Sequence, residues 1–273
     1  MQKALRQFGI VALLFFGAWL LLGRIPFVRI FNVEELTREN ERKVGAFILQ
    51  SATVGHRELG SGFVQKSLDS IKTRLCAATA VPDSSITIHV LVSEEVNAYA
   101  LPDGHIIVST ALIDYCRTPE ELSGVLAHEI AHIQRKHVMK KLTKEVGLAM
   151  LAAMAGGQSG GEIGRETARM LSSSAFDRTQ ESEADAGAVK LLASAGIDPE
   201  ALANFLFRLS QEKEKFPRQL ELLSTHPNSQ DRAAEILRLR ANETIHVRQV
   251  LAEPSWSSLH EIASSATDTS SRD

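Results

Sequence analysis

Leu122, Val125, Leu126, Ile130 and Ile133 recur at steps of three and four residues, which gathers apolar side chains on one stripe of a helix. Just ahead of them, Thr118 offers an N-cap hydroxyl, Pro119 suits the first helical position and Glu121 completes a capping box, so a helix is predicted to begin there. Residues 86–92 alternate as a strand does, and residues 106–108 offer another. Residues 34–80 read mostly as two helices parted by Gly60, Ser61 and Gly62, and almost everything beyond 110 keeps a helical period. The predicted class is α+β, predominantly helical, with a small antiparallel sheet and no internal repeat.

Three stretches depart from this pattern. Residues 8–23 carry no charged or polar side chain, follow Lys3 and Arg6, and end at Arg24. They are apolar on every side and lack a small-residue cleavage site, so residues 1–30 are expected to be an uncleaved signal anchor, with a removed signal the second choice. The basic start favours an inside amino terminus, which leaves the following domain outside the cytoplasm. Residues 146–157 are apolar and rich in small side chains but too short to span a bilayer, and are expected to form a buried or interfacial helix. Residues 253–273 collect Ser, Thr and Pro and are expected to be a disordered tail, leaving 31–252 as one globular domain.

A net charge of −3 gives no sign of a nucleic-acid partner. The sequence has neither a Gly-x-Ser-x-Gly elbow nor a phosphate loop. Cys76 and Cys116 lack the paired spacing of a thiolate metal site, so packed thiols are expected, with a disulfide between them the alternative.

Chemistry concentrates on the helix after Thr118. His128 and His132, in His128-Glu129-Ile130-Ala131-His132, are four apart and share one face, so both imidazoles can hold one zinc ion while Glu129 stands beside them as proton carrier. A hydrolytic site needs a third protein ligand and one open position. The best source is Glu181-Ser182-Glu183-Ala184-Asp185, opening a helix that ends at Gly196. Glu181 and Asp185 share a face while Glu183 points away, which favours Glu181 as ligand and Asp185 as acceptor for a ligand's free ring N–H. A solvated acidic helix start would show the same letters. His137, five residues past His132 and roughly 140° round a continuous helix, is read as structural. His105, heading a strand, is read as packed or exposed rather than as a ligand.

These motifs, followed by Leu223-Ser224-Thr225-His226-Pro227 and then Arg232, resemble in order and spacing the M48 family of zinc metallopeptidases. The likeness is to its single-domain gluzincin members of the periplasmic quality-control and inner-membrane-stress type. Asn97 to Val108 resembles the family's segment leading into the edge strand beside the active site, although Asp103 and Gly104 depart from the common pattern there. The resemblance implies a zincin-like metallopeptidase domain holding one Zn2+ per chain through His128, His132 and Glu181, with Asp185 behind the ligands and Glu129 as general base. It places His226 over the metal, either steadying an oxyanion or approaching zinc in a resting state, gives Asn97 to substrate backbone, and has Arg232 anchor the His226 loop. The implied partners are unfolded or misfolded polypeptides bound as an added strand, cut by an enzyme anchored in a bacterial inner membrane and facing the periplasm. A membrane-tethered chaperone with the same fold but little proteolysis, or a zinc amidase, would carry the same letters. Oligomeric state is left open.

Overall fold

The computed structural model describes residues 38–77, 82–157, 159–212 and 220–270. The 8–23 run, and with it the expected anchor, lies outside them; among the described residues no helix is long and apolar enough to cross a membrane.

Among the described residues two helices come first, α1 (Arg38–Thr53) and α2 (Gly62–Ala77). Each buries a stripe at helical spacing: Val44, Ile48 and Ala52 on α1, and Val64, Leu68, Ile71 and Leu75 on α2. A short 3-10 turn, Asp83–Ser85, leads into β1 (Thr87–Leu91), whose Ile88 and Val90 point inward. β2 (Ala98–Ala100) and β3 (His105–Ser109) complete a three-stranded sheet of order β1-β3-β2.

The sheet is mixed rather than wholly antiparallel, which corrects the sequence reading. Only β2 runs antiparallel to β3, with Tyr99 opposite Ile107, while β1 runs parallel to β3, with Val90 opposite Val108. The reason is connective. Asp103 and Gly104 both take left-handed backbone angles (φ 62° and 78°), reversing the chain tightly between β2 and β3. The link after β1 crosses to the far side of β3 before β2 begins, so β1 and β3 point the same way.

The remaining elements are helical: α3 (Thr110–Tyr115), α4 (Pro119–Gln134), α5 (His137–Glu145), α6 (Leu148–Ala155), α7 (Gly161–Ser173), α8 (Arg178–Ser194), α9 (Glu200–Glu212), α10 (Leu222–Thr225), α11 (Ser229–Arg240) and α12 (Glu253–Ser270). α4 is the axis of the core, buried on every face from Glu121 to His132. It packs against α2, α8, α9 and β2. Gly187 on α8 permits a close approach: a Cβ there would lie 2.8 Å from the Ala131 methyl of α4. α6 falls within the apolar 146–157 stretch, with Leu151 and Met154 buried and several of its other side chains partly or fully exposed.

Residues 253–270 are not a disordered tail. They form α12, packed mainly on α3 and also on α2. Trp256, Leu259, Ala263 and Ala266 are buried at steps of three and four, a stripe hidden in the sequence by intervening Ser and Thr. His260 Nε2 donates to the Asp114 carbonyl at 2.7 Å and Thr267 Oγ1 meets Thr110 Oγ1 at 2.8 Å, so polar contacts reinforce the docking. Cys76 and Cys116 are both buried and carry no disulfide, so the disulfide alternative is not realised. Burial pushes the Cys76 thiol up to about 11 and the Cys116 thiol well above its ordinary range, which leaves both unreactive.

Candidate active site

α4 begins where its sequence says it should. Thr118 Oγ1 accepts the Glu121 N–H at 3.2 Å, while Glu121 Oε2 accepts from Arg117 N at 2.7 Å. Arg208 of α9 then grips both Glu121 oxygens, at 2.6 and 2.8 Å, fixing the helix start to its neighbour. α8 has a full capping box that the sequence reading overlooked: Asp177 Oδ1 accepts from Gln180 N at 2.9 Å, and Gln180 Oε1 accepts from Asp177 N at 3.3 Å. Two anchored helices crossing at Gly187 therefore present their polar faces to each other.

Between them stand His128, His132, Glu181 and His226, all buried, with one donor atom from each within 4.8 Å of the others. His128 Nε2 lies 3.0 Å from His132 Nε2 and 3.2 Å from His226 Nδ1. Glu181 Oε1 lies 2.9 Å from His226 Nδ1 and 3.4 Å from His132 Nε2. Donors placed tetrahedrally about 2.05 Å from one zinc ion are about 3.4 Å apart, so this spacing fits such an ion. The donor chemistry fits as well. His128 Nδ1 lies 3.0 Å from Asp185 Oδ1, and a carboxylate can only accept, so the ring proton sits on Nδ1 and a lone pair on Nε2. That lone pair faces two more imidazoles and a carboxylate, a buried arrangement that calls for a cation.

Charge at the site is managed by Arg232 of α11. Its Nη2 and Nε donate to the two Asp185 oxygens at 2.7 and 2.8 Å, its Nη1 lies 2.7 Å from Glu181 Oε2, and Nη1 also reaches the His226 carbonyl at 3.5 Å. Burial would raise both carboxyls, but the guanidinium outweighs it at Asp185, and His226 together with Arg232 outweighs it at Glu181; both are held well below the usual carboxylate range. Burial drives His132 the other way, well below its ordinary value, which keeps it neutral.

Glu129 is fully buried next to this group, and neither of its oxygens has a hydrogen-bond partner of good geometry. Burial raises its pKa, opposed by His226 and His128 and, to a smaller degree, by the Ala100 backbone N–H of β2. His226 Nε2, 3.4 Å from Glu129 Oε1, is likewise without a hydrogen bond. At His226 burial lowers the pKa, but the charges of Glu181 and Glu129 prevail and raise it.

Seven of the residues singled out in the sequence, His128, Glu129, His132, Glu181, Asp185, His226 and Arg232, thus meet in one place. Asn97 does not join them. Its Nδ2 donates to the Ser172 carbonyl at the end of α7 (3.1 Å), its side chain is buried, and only Oδ1 is uncommitted. His105 meets His89 instead, Nδ1 to Nε2 at 3.1 Å, in keeping with a packed role.

Four residues near the site were given no part in it by the sequence. Phe176 stacks on the His226 ring at 5.8 Å and lies 4.1 Å from that of His132, and its N–H donates to Thr225 O at 3.2 Å; as a loop residue it left no periodic signal. Lys141 lies over Phe176, 4.4 Å from the ring centroid, and donates to the Ser174 carbonyl. His137, read as structural, and Glu183, read as pointing away from Glu181 and Asp185, both stay outside the donor group, yet they pair with each other and with a ligand. Lys136 takes a left-handed conformation (φ 55°), ends α4 and starts α5 at a new angle, so the continuous-helix estimate fails and His137 Nδ1 lies 3.0 Å from His132 Nδ1. Glu183 Oε2 lies 3.1 Å from the other nitrogen of His137.

Comparison with known proteins agrees with this geometry. A beta-barrel assembly-enhancing protease of Yersinia pestis is 26% identical over 220 residues, covering 76% of this chain and 45% of that protein. The mitochondrial metalloendopeptidase OMA1 of Arabidopsis thaliana is 29% identical over 175 residues, covering 64% and 36%. Its counterpart from Bos taurus is 33% identical over 166 residues, covering 56% and 32%. The chain thus spans less than half the length of each of these relatives. The profile of Peptidase family M48 matches residues 64–240, more than half of the chain and the whole of the site, and the chain belongs to that family of zinc metallopeptidases.

Proposed function

We propose that this metallopeptidase hydrolyses peptide bonds of unfolded or misfolded polypeptides, with His128, His132 and Glu181 as metal ligands and Glu129 as general base. The observation that carries this reading is the pair of buried, unpartnered Glu129 oxygens beside a donor group spaced for zinc. A zinc ion supplies a Lewis acid that polarises the scissile carbonyl and lowers the pKa of water to about 7. Glu129 takes a proton from the attacking water and passes it to the leaving amine, a role favoured by its raised pKa. Asp185 holds the His128 ring by its Nδ1 proton, and Arg232 keeps Asp185 charged while tying down the His226 loop.

His226 is assigned two positions. Its Nδ1 stands among the ligand atoms, where it would help hold a zinc ion in a resting state; a displaced ring would instead steady an oxyanion. Substrate is assigned to the outer edge of β2, which pairs with β3 on one side only and passes Glu129 at Ala100. Asn97 would meet the peptide through Oδ1, its one uncommitted polar atom. Main-chain pairing of this kind selects extended, unfolded segments.

Residues 8–23 supply the membrane part of the reading, an anchor in a bacterial inner membrane with the catalytic domain on the periplasmic side. The decisive experiment compares zinc-loaded wild type with Glu129→Gln on casein. Cleavage by the wild type alone, abolished by a chelator, supports the reading; full cleavage by the variant removes Glu129 as base. A zinc-loaded wild type that never cuts turns the reading toward a tethered chaperone. Extraction of the full-length chain from membranes by alkaline carbonate would sink the anchor.

A further inference from the structure

Resting on the zinc reading above, we infer that His137 is a positioning residue, and that Glu183, through it, fixes His132 in the one tautomer able to hold the metal. The geometry is a chain of three groups. Glu183 Oε2 lies 3.1 Å from His137 Nε2, and His137 Nδ1 lies 3.0 Å from His132 Nδ1. A carboxylate has no proton to give, so His137 Nε2 carries one and donates it. The neutral ring then has a lone pair at Nδ1, which accepts from His132 Nδ1–H. That leaves the His132 lone pair on Nε2, the atom 3.0 Å from His128 Nε2 and 3.4 Å from Glu181 Oε1.

Each ligand imidazole is thereby oriented by an acid of α8, His128 by Asp185 directly and His132 by Glu183 at one remove. The extra ring is required because Glu183 stands off the face shared by Glu181 and Asp185. The His137 ring is fully buried, whereas the Glu183 side chain is 43% exposed and is also approached by Arg135 Nη1 at 3.6 Å. The left-handed turn at Lys136 is what brings the ring back over His132.

The test is zinc affinity of the full-length protein, measured by competition with a chromogenic chelator. His137→Phe keeps a ring of similar size but neither nitrogen, and is expected to bind zinc about 10–100-fold more weakly. His137→Gln, whose amide offers an oxygen to His132 and an N–H to Glu183, is expected to recover most of that loss, which a space-filling role would not predict. A Phe variant within about threefold of wild type overturns the inference. Should that variant not fold, nitrogen NMR of the zinc-loaded wild type decides: protons on His132 Nδ1 and His137 Nε2 support the relay, and the opposite tautomers overturn it. A wild type that takes up no zinc removes the metal reading and the relay with it, whereas normal uptake by wild type and Phe variant alike removes the relay alone.

Discussion

Arg232 and Asp185 are joined by a fork of two short hydrogen bonds, 2.7 and 2.8 Å, buried between α8 and α11. The same guanidinium lies 2.7 Å from Glu181, so one cation balances two buried carboxylates. Replacing it by Arg232→Met strands both charges, and the expected cost is about 3–5 kcal/mol, read as a lower urea midpoint at unchanged slope. Arg232→Lys restores a point charge but not the planar fork, and should recover only part of the loss.

Metal and stability are coupled because the donors come from α4, from α8 and from the loop at His226. Zinc at about 100 times its dissociation constant should add about 2.7 kcal/mol to folding, seen as a chelator-reversible rise in melting temperature. Glu181→Gln should lose most of that rise, while Glu129→Gln should keep it and lose only catalysis. A melting temperature unmoved by zinc would contradict the donor set.

The docking of α12 predicts a penalty where a disordered tail would predict none. Trp256 and Leu259 are buried against the main core. Trp256→Ala should destabilise by about 3–5 kcal/mol in chemical denaturation. A chain ending at residue 252 should expose that core and aggregate, which light scattering would detect.

Lys141 gives stability a pH dependence on the alkaline side. Burial pulls its ammonium pKa down to about 8 from the ordinary 10.5. Between those values the unfolded chain holds a proton that the fold does not, so the lysine's burden on the fold is full below about pH 8 and is relieved as pH climbs toward 10.5. Urea unfolding at pH 7 and pH 10 should show wild type gaining on Lys141→Met. Parallel behaviour would mean that the lysine is not desolvated.

Local physics made much of this molecule legible beforehand. The Thr118 cap, the apolar stripe of α4 and the four-residue spacing of His128 and His132 belong to one continuous segment, and so did Glu181 with Asp185; each pair needed only helical geometry. What escaped was set by contacts remote in sequence. No periodicity reveals that Lys136 turns left-handed and returns His137 to His132, or that Glu183 meets that ring across 46 residues. The β1/β3 pairing depends on where a loop crosses, not on either strand's letters. The stripe of α12 was present in the sequence, yet Ser and Thr between its apolar positions masked it, and tertiary burial outweighed their weak helix preference.

Arg232 reaches back 104 residues to the ring of His128, and His226 reaches back 98. During synthesis, therefore, the two histidines of α4 leave the ribosome long before the residues that complete and balance their surroundings. A nascent chain halted anywhere short of α11 carries the hydrolytic letters without a finished centre. The charge balance of Asp185 and Glu181 is therefore among the last parts of the site to be made.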